Sequence, residues 1–294
     1  MHGIRMALAA LALALLTTSG GAAPFPAAPP STSPFPSTLR PPTKAPAAST
    51  PFGVQPPANL AISLPDVIAT VEKSYLKLSG VTADFAQVSF LKEKQREMRA
   101  VGQMMLKTAG AEPLMFRFDY FSPTQQQIIC DGTTLWIYLP ENRQVILNNV
   151  RPFFSRSALD IERNQSFNFL QGLGRISKDF QIMYAQQMQD VAGNYILELS
   201  PRRSMAMIQK LFLVVNRNAV LLYAQSGRNI DALFASGAGR ELGFPLLSTT
   251  MYDHDGNSTI MEFSNIQANI MLPDIMFRFD VPADVQVVKP PKKP

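Results

Sequence analysis

Residues 114–138 read LMFRFDYFSPTQQQIICDGTTLWIY. Three short runs rich in aromatic and β-branched residues are broken at Ser122-Pro123 and at Asp131-Gly132, the way consecutive antiparallel strands joined by tight turns are written. The segment predicts a β-meander. Along its first strand Leu114, Phe116, Phe118 and Tyr120 fall on one face, with Met115, Arg117 and Asp119 on the other, because side chains alternate along a strand. One face is strongly apolar and aromatic, fit either for an ordinary core or for an apolar ligand.

Working outward, further strand-like runs are predicted at 81–91, 98–107, 114–120, 125–130, 134–139 and 143–148. After Val150 the pattern changes. Phe153, Phe154, Leu159, Ile161, Phe167, Phe169 and Leu170 sit among Ser, Asn and Arg as far as Gly172 and Gly174, which predicts one or two short helices with an aromatic face. Strands resume at 180–189, 194–199, 208–216, 219–225, 247–252, 258–267 and 275–281. One large antiparallel sheet with helices inserted into its middle is expected, a mainly β protein of α+β class. A single amphipathic helix precedes it: Pro65-Asp66 opens a segment with Val67, Ile68, Val71, Tyr75, Leu76 and Leu78 near helical spacing, with Ser79-Gly80 as its expected C-cap. Residues 227–245, GRNIDALFASGAGRELGFP, hold a short apolar helix candidate at 230–235. Two readings stay open for it, a mobile loop with an exposed apolar tip and a helix packed on the sheet.

The first residues point to export. Arg5 precedes an uncharged apolar run from Met6 to Leu16 and a small-residue region ending in Ala22-Ala23, the layout of a secretory signal peptide over residues 1–22. Residues 23–59 are dominated by Pro, Ala, Ser and Thr and cannot bury enough apolar surface to offset chain entropy, so an extended linker is expected there. The folded part is expected over 60–288, followed by a basic Pro/Lys tail at 289–294. No segment after the signal peptide is long and apolar enough to span a bilayer as a helix.

Residues for chemistry are sparse. Cys130 is the one cysteine of the chain, which rules out an intramolecular disulfide and, set in the run Ile128-Ile129-Cys130, reads as a buried structural thiol. His254 is the only histidine beyond the signal peptide, which leaves no pair for zinc and disfavours a Ser-His-Asp triad. Asp253-His254-Asp255-Gly256-Asn257 has its glycine at the wrong offset for a calcium loop and reads as a hairpin turn. No Gly-rich phosphate loop and no recognisable acid pair occur, so neither an enzyme, a metal site nor a cofactor is expected. The formal net charge of +5 is spread thinly, without the aromatic interleaving of a nucleic-acid platform. All but Met1 and Met6 of the 14 methionines lie beyond the signal peptide. Such unbranched side chains suit either core filling or an adaptable apolar site, and Met104, Leu106, Phe116 and Phe118 are expected to share one face of adjacent strands.

These residues resemble the LolA family of periplasmic lipoprotein carriers. The resemblance rests on Phe85-Ala86-Gln87, Pro113 to Tyr120, Asp131-Gly132-Thr133-Thr134-Leu135-Trp136, and Phe277-Arg278-Phe279-Asp280-Val281-Pro282. It implies an incomplete antiparallel β-barrel whose concave apolar face lies under a helical lid and binds the acyl chains of lipoproteins. Met104, Leu106, Phe116, Phe118 and Trp136 are then expected as lining, with Phe167 and Leu170 on the lid. The implied partners are acylated lipoproteins, an inner-membrane ABC-type lipoprotein-releasing complex, and an outer-membrane lipoprotein receptor or the outer membrane itself; a monomer is expected. One departure stands out. Where the family has an arginine that latches the lid, Glu112 precedes Pro113, so a basic residue elsewhere must substitute or the empty carrier is more open. The alternative is a sensor of mislocalised lipoprotein or lipid; such sensors usually carry a second domain, for which no length is expected after residue 288.

Overall fold

The computed structural model describes residues 62–108, 114–150, 172–205, 207–235 and 239–289. Helix α1 (Leu64–Lys77) starts on a capping box, with Ser63 Oγ accepting from the Asp66 amide and the Asp66 carboxylate accepting from the Ser63 amide. Two of the amides that a helix start leaves unpaired are thereby satisfied. Val67, Thr70, Val71, Ser74 and Tyr75 form a buried stripe at helical spacing. The helix ends at an extended Leu78, and Gly80, expected to cap it, opens the first strand instead.

Among the described residues the strands are β1 (Gly80–Leu91), β2 (Arg96–Lys107), β3 (Met115–Ser122), β4 (Gln126–Cys130), β5 (Thr134–Leu139), β6 (Gln144–Asn149), β7 (Phe180–Gln189), β8 (Tyr195–Pro201), β9 (Lys210–Val215), β10 (Leu246–Tyr252), β11 (Ser258–Ala268) and β12 (Gln286–Val288). They form one 12-stranded sheet in the order β12-β6-β5-β4-β3-β2-β1-β11-β10-β9-β8-β7. Its two ends do not pair with each other, so the barrel is incomplete. Every pairing is antiparallel except β12 on β6, which is parallel and makes the sheet mixed.

Two expected strands are corrected. Residues 219–225 lie in a helix, α3 (Arg217–Gln225), preceded by a turn of 3-10 helix at Leu173–Arg175, α2 (Ile176–Asp179) and strands β7 to β9. Asn216 Oδ1 caps α3 by accepting from the Asn218 and Ala219 amides, and the buried positions Ala219, Val220, Tyr223 and Ala224 follow a helical rather than an alternating period. Residues 275–281, expected to close the sheet, begin in a 3-10 turn at Asp274–Phe277 and add no strand. Two further short helices, α4 (Ala232–Ala235) and α5 (Gly239–Leu242), lie between α3 and β10. Phe167 and Leu170, the expected lid, fall outside the described residues, as do Glu112 and Pro113.

Register separates the two faces. Ala83, Met104, Phe118, Ile128 and Ile137 pair across β1 to β5, and Leu106, Phe116, Cys130 and Leu135 form the next row. These side chains are inward and join Leu197, Leu199, Leu211 and Leu213 of β8 and β9, together with Val67 and Val71 of α1, in one core. The outward row is Met105, Arg117, Ile129, Trp136 and Leu147. Over this outer face runs the C-terminal segment: Arg117 donates to the Met276 carbonyl at 3.3 Å, Phe279 meets the Tyr138 ring at 5.2 Å, and Phe277 is buried.

Candidate functional site: an apolar trough under a helical cover

The inward face of β1 to β3 is the aromatic centre of the sheet. Phe85 stands edge-on to Phe118 and Tyr120 at centroid distances of 5.8 and 4.9 Å, and Phe116 meets Phe118 at 6.1 Å. Edge-to-face packing at such distances is favourable beyond the area it buries. Gly102 makes room for it. A Cβ there would lie 2.6 Å from Phe85 Cζ and 2.2 Å from the Asp119 carbonyl oxygen, so the Phe85 ring takes the space of a side chain on β2.

Helix α1 packs Val67, Val71 and Tyr75 into the same core as this trough and is tied by side chains to the helices beside it. The Arg228 guanidinium grips the Asp66 carboxylate with two donors, at 2.6 and 3.2 Å. Lys73 donates to the Tyr223 hydroxyl at 2.8 Å, Lys77 pairs with Asp231, and Glu72 accepts from the Ser177 amide and hydroxyl at 2.8 and 2.7 Å. The side-chain hydrogen bond from Arg228 is the main reason the buried Asp66 carboxyl is held down at about 2, against the opposing effect of burial, with Ser63 helping. Leu233 of α4 is fully buried against Ala219 and Tyr223 of α3. Of the two readings of residues 227–245, the packed helix is the one found, with Leu233 against α3 and Phe234 against the main core.

The cover is imperfectly satisfied. Among the described residues Ser74 Oγ and Tyr75 Oη, both on the buried side of α1, have no hydrogen-bond partner, and leaving a buried hydroxyl unpaired costs about 1–3 kcal/mol. Burial pushes the Tyr75 phenol up, so it stays neutral.

Burial pushes the Cys130 thiol up to about 12, which leaves almost no thiolate near neutral pH. His254 sits in the β10–β11 hairpin turn, where Asp253 Oδ1 accepts from the Asp255 and Asn257 amides, and its Nε2 lies 2.7 Å from the Met205 carbonyl.

A family model for the outer membrane lipoprotein carrier protein LolA matches residues 76–226, from the end of α1 through α3. The chain belongs to the LolA family. Named relatives are similar at lower identity across a wider span. An outer-membrane lipoprotein carrier protein of Legionella pneumophila is 25% identical over 214 residues, 72% of this chain and 84% of that protein. One from Actinobacillus succinogenes is 27% identical over 221 residues, 75% of this chain and 84% of that protein. Among solved structures, a LolA superfamily protein from Nitrosomonas europaea is 15% identical, with a TM-score of 0.35 over 74% of this chain and 99% of that one. An uncharacterised conserved protein from Thermus thermophilus is 11% identical, with a TM-score of 0.42 over 77% and 98%.

Within this LolA-family chain the structure brings Met104, Leu106, Phe116 and Phe118 together on the inward face, each less than a tenth exposed. Trp136 is not with them. It pairs with Ile129 and Leu147 on the outer face, because its neighbours Leu135 and Ile137 take the inward positions of β5. The alternation in Leu135-Trp136-Ile137 carries that signal. Two other methionines, Met183 and Met188, are exposed on β7. The sequence reading passed over Phe85 as lining, although Val81, Ala83 and Phe85 share the parity of an apolar inward stripe.

Proposed function

We propose that the protein is a non-enzymatic periplasmic carrier. It takes up the acyl chains of lipoproteins released from the inner membrane by an ABC-type complex and delivers them to the outer membrane or a receptor there. The observation that carries this reading is the one-sided apolar trough of Phe85, Met104, Leu106, Phe116 and Phe118 lying under a helix tied down mostly by surface ion pairs and hydrogen bonds. Exposed ion pairs contribute about 0–1 kcal/mol each, whereas each buried methylene of an acyl chain contributes about 0.8 kcal/mol. A long chain replacing the contacts of α1 therefore outweighs the ties that hold the cover. The two unpaired hydroxyls of Ser74 and Tyr75 make the closed interface easier still to leave. Binding by displacement suits transfer, because release needs only the reverse exchange.

The test is direct. Purified protein mixed with a triacylated lipoprotein in detergent-free buffer should hold it as a soluble complex, and the same lipoprotein without its acyl chains should not bind. Leu106→Ala should weaken the complex while keeping the circular dichroism of the native sheet. Equal retention of acylated and non-acylated protein would remove the acyl chain from the account.

A further inference from the structure

The inward face of β1 changes character along its length. Val81, Ala83 and Phe85 are followed by Gln87 and Ser89, which are 4% and 1% exposed. Across the sheet Tyr120 pairs with Gln126, itself 8% exposed. Buried polar side chains are costly unless hydrogen-bonded, and most of these are linked. The Tyr120 hydroxyl donates to Gln87 Oε1 at 3.0 Å, Gln87 Nε2 donates to Ser89 Oγ at 3.0 Å, and Ser89 Oγ lies 3.3 Å from Thr259 Oγ1.

Tyr120 joins the two regions. Its ring packs edge-on against Phe85 at the end of the aromatic trough, and its hydroxyl begins the polar set. Beside it opens a small cleft, about 20 Å³ or room for about one water-sized group, lined by Gln87, Ser89, Ala100, Tyr120, Thr124 and Gln126, among others. Gln126 is the member left over. Its side-chain amide makes no hydrogen bond among the described residues, although the residue is more than nine-tenths buried and lines the cleft. It offers two donors and an acceptor, and Gln87 Nε2 has one hydrogen beyond that given to Ser89. The one charged side chain on the lining, Arg99, is mostly exposed and pairs with Glu97 at 2.7 Å. A trough that is apolar over one stretch and neutral but hydrogen-bonding at its end matches a molecule built the same way.

We propose that this end of the trough is a subsite for the ester or amide carbonyls that join acyl chains to a head group, with the Gln126 side-chain amide as the principal donor. The inference rests on the carrier reading and adds which end of the ligand goes where. Acyl chains run from Tyr120 towards Phe116 and Leu106, and the head group lies at the Gln126 end. A diacylglyceryl protein terminus and a diacyl phospholipid share this carbonyl chemistry. Burial also pushes the Tyr120 phenol up, so the hydroxyl stays a neutral donor to Gln87 and holds that amide in place.

The experiment compares two glycerolipids of equal chain length, one ester-linked and one ether-linked, by competition against a fluorescent fatty acid on the full chain and on Gln126→Leu. The unaltered protein should prefer the ester lipid by about tenfold, the size of one or two neutral hydrogen bonds. Gln126→Leu should cut that preference to about twofold or less while leaving ether-lipid affinity unchanged. Equal affinity of the unaltered protein for both lipids overturns the subsite, as does a full preference surviving in Gln126→Leu. If neither lipid competes, the carrier reading itself fails. A diacylglyceryl-cysteine peptide and a phosphatidylethanolamine, run in parallel, distinguish the two carbonyl sources.

Discussion

Asp66 does three jobs with one carboxylate. It completes the capping box of α1 by accepting from the Ser63 amide, accepts from the Ser63 hydroxyl, and accepts two donors from Arg228, 162 residues away. Arg228 holds the arm before α4 to the start of α1. The pH dependence has a definite sign. The folded carboxyl is held at about 2, below its ordinary 3.8, so the stabilisation is complete above about pH 4 and is lost as pH falls towards 2. The half-exposed guanidinium limits it to about 1–2 kcal/mol. Arg228→Ala should therefore lower the urea midpoint at pH 7 and flatten its decline between pH 4 and pH 2; an unchanged profile would detach Arg228 from Asp66. Gly102 shows how residue and ring share one space: with Phe85 over it and the Asp119 carbonyl behind it, any side chain at 102 must displace the aromatic centre.

At the scale of elements, β1 to β11 were legible as strand-like runs set off by turn signals, and β5 and β7 begin and end where the sequence places them, whereas the short β12 had no counterpart in the sequence reading. Two elements misled for physical reasons. The run at 219–225 is apolar on both parities, so alternation could not distinguish strand from helix, and Asn216 as an N-cap was the overlooked cue. The alternating Phe277-Arg278-Phe279 looks like a strand, but it serves the outer face, with Phe277 buried and Phe279 against Tyr138. If the cap decides α3, Asn216→Ala should cost about 1 kcal/mol in urea unfolding, and a change within error would mean that packing of Tyr223 and Ala219 suffices. The side-chain network of α1 with α2, α3 and the arm before α4 was out of reach of sequence reasoning. It joins residues more than a hundred positions apart, and no local pattern marks such pairs.

For the whole molecule the central fact is an open sheet. A closed barrel has a radius set by its strand number and shear, whereas a sheet whose end strands β7 and β12 do not pair can widen without breaking a ladder. Such a sheet leaves the trough and its cover free to adjust together, as the carrier reading requires. How much of the candidate site was readable follows from register: Met104, Leu106, Phe116 and Phe118 share a parity within neighbouring strands and face inward together, while Trp136 sits one residue out of phase and lies on the far side. That opposition of faces gives the most direct test of acyl-chain binding in the trough. A benzoylphenylalanine placed at Phe118 and, separately, at Trp136 should be irradiated with a lipoprotein carrying radiolabelled acyl chains. Label should be captured from position 118 and not from position 136; capture from 136 alone, or equally from both, would contradict the account.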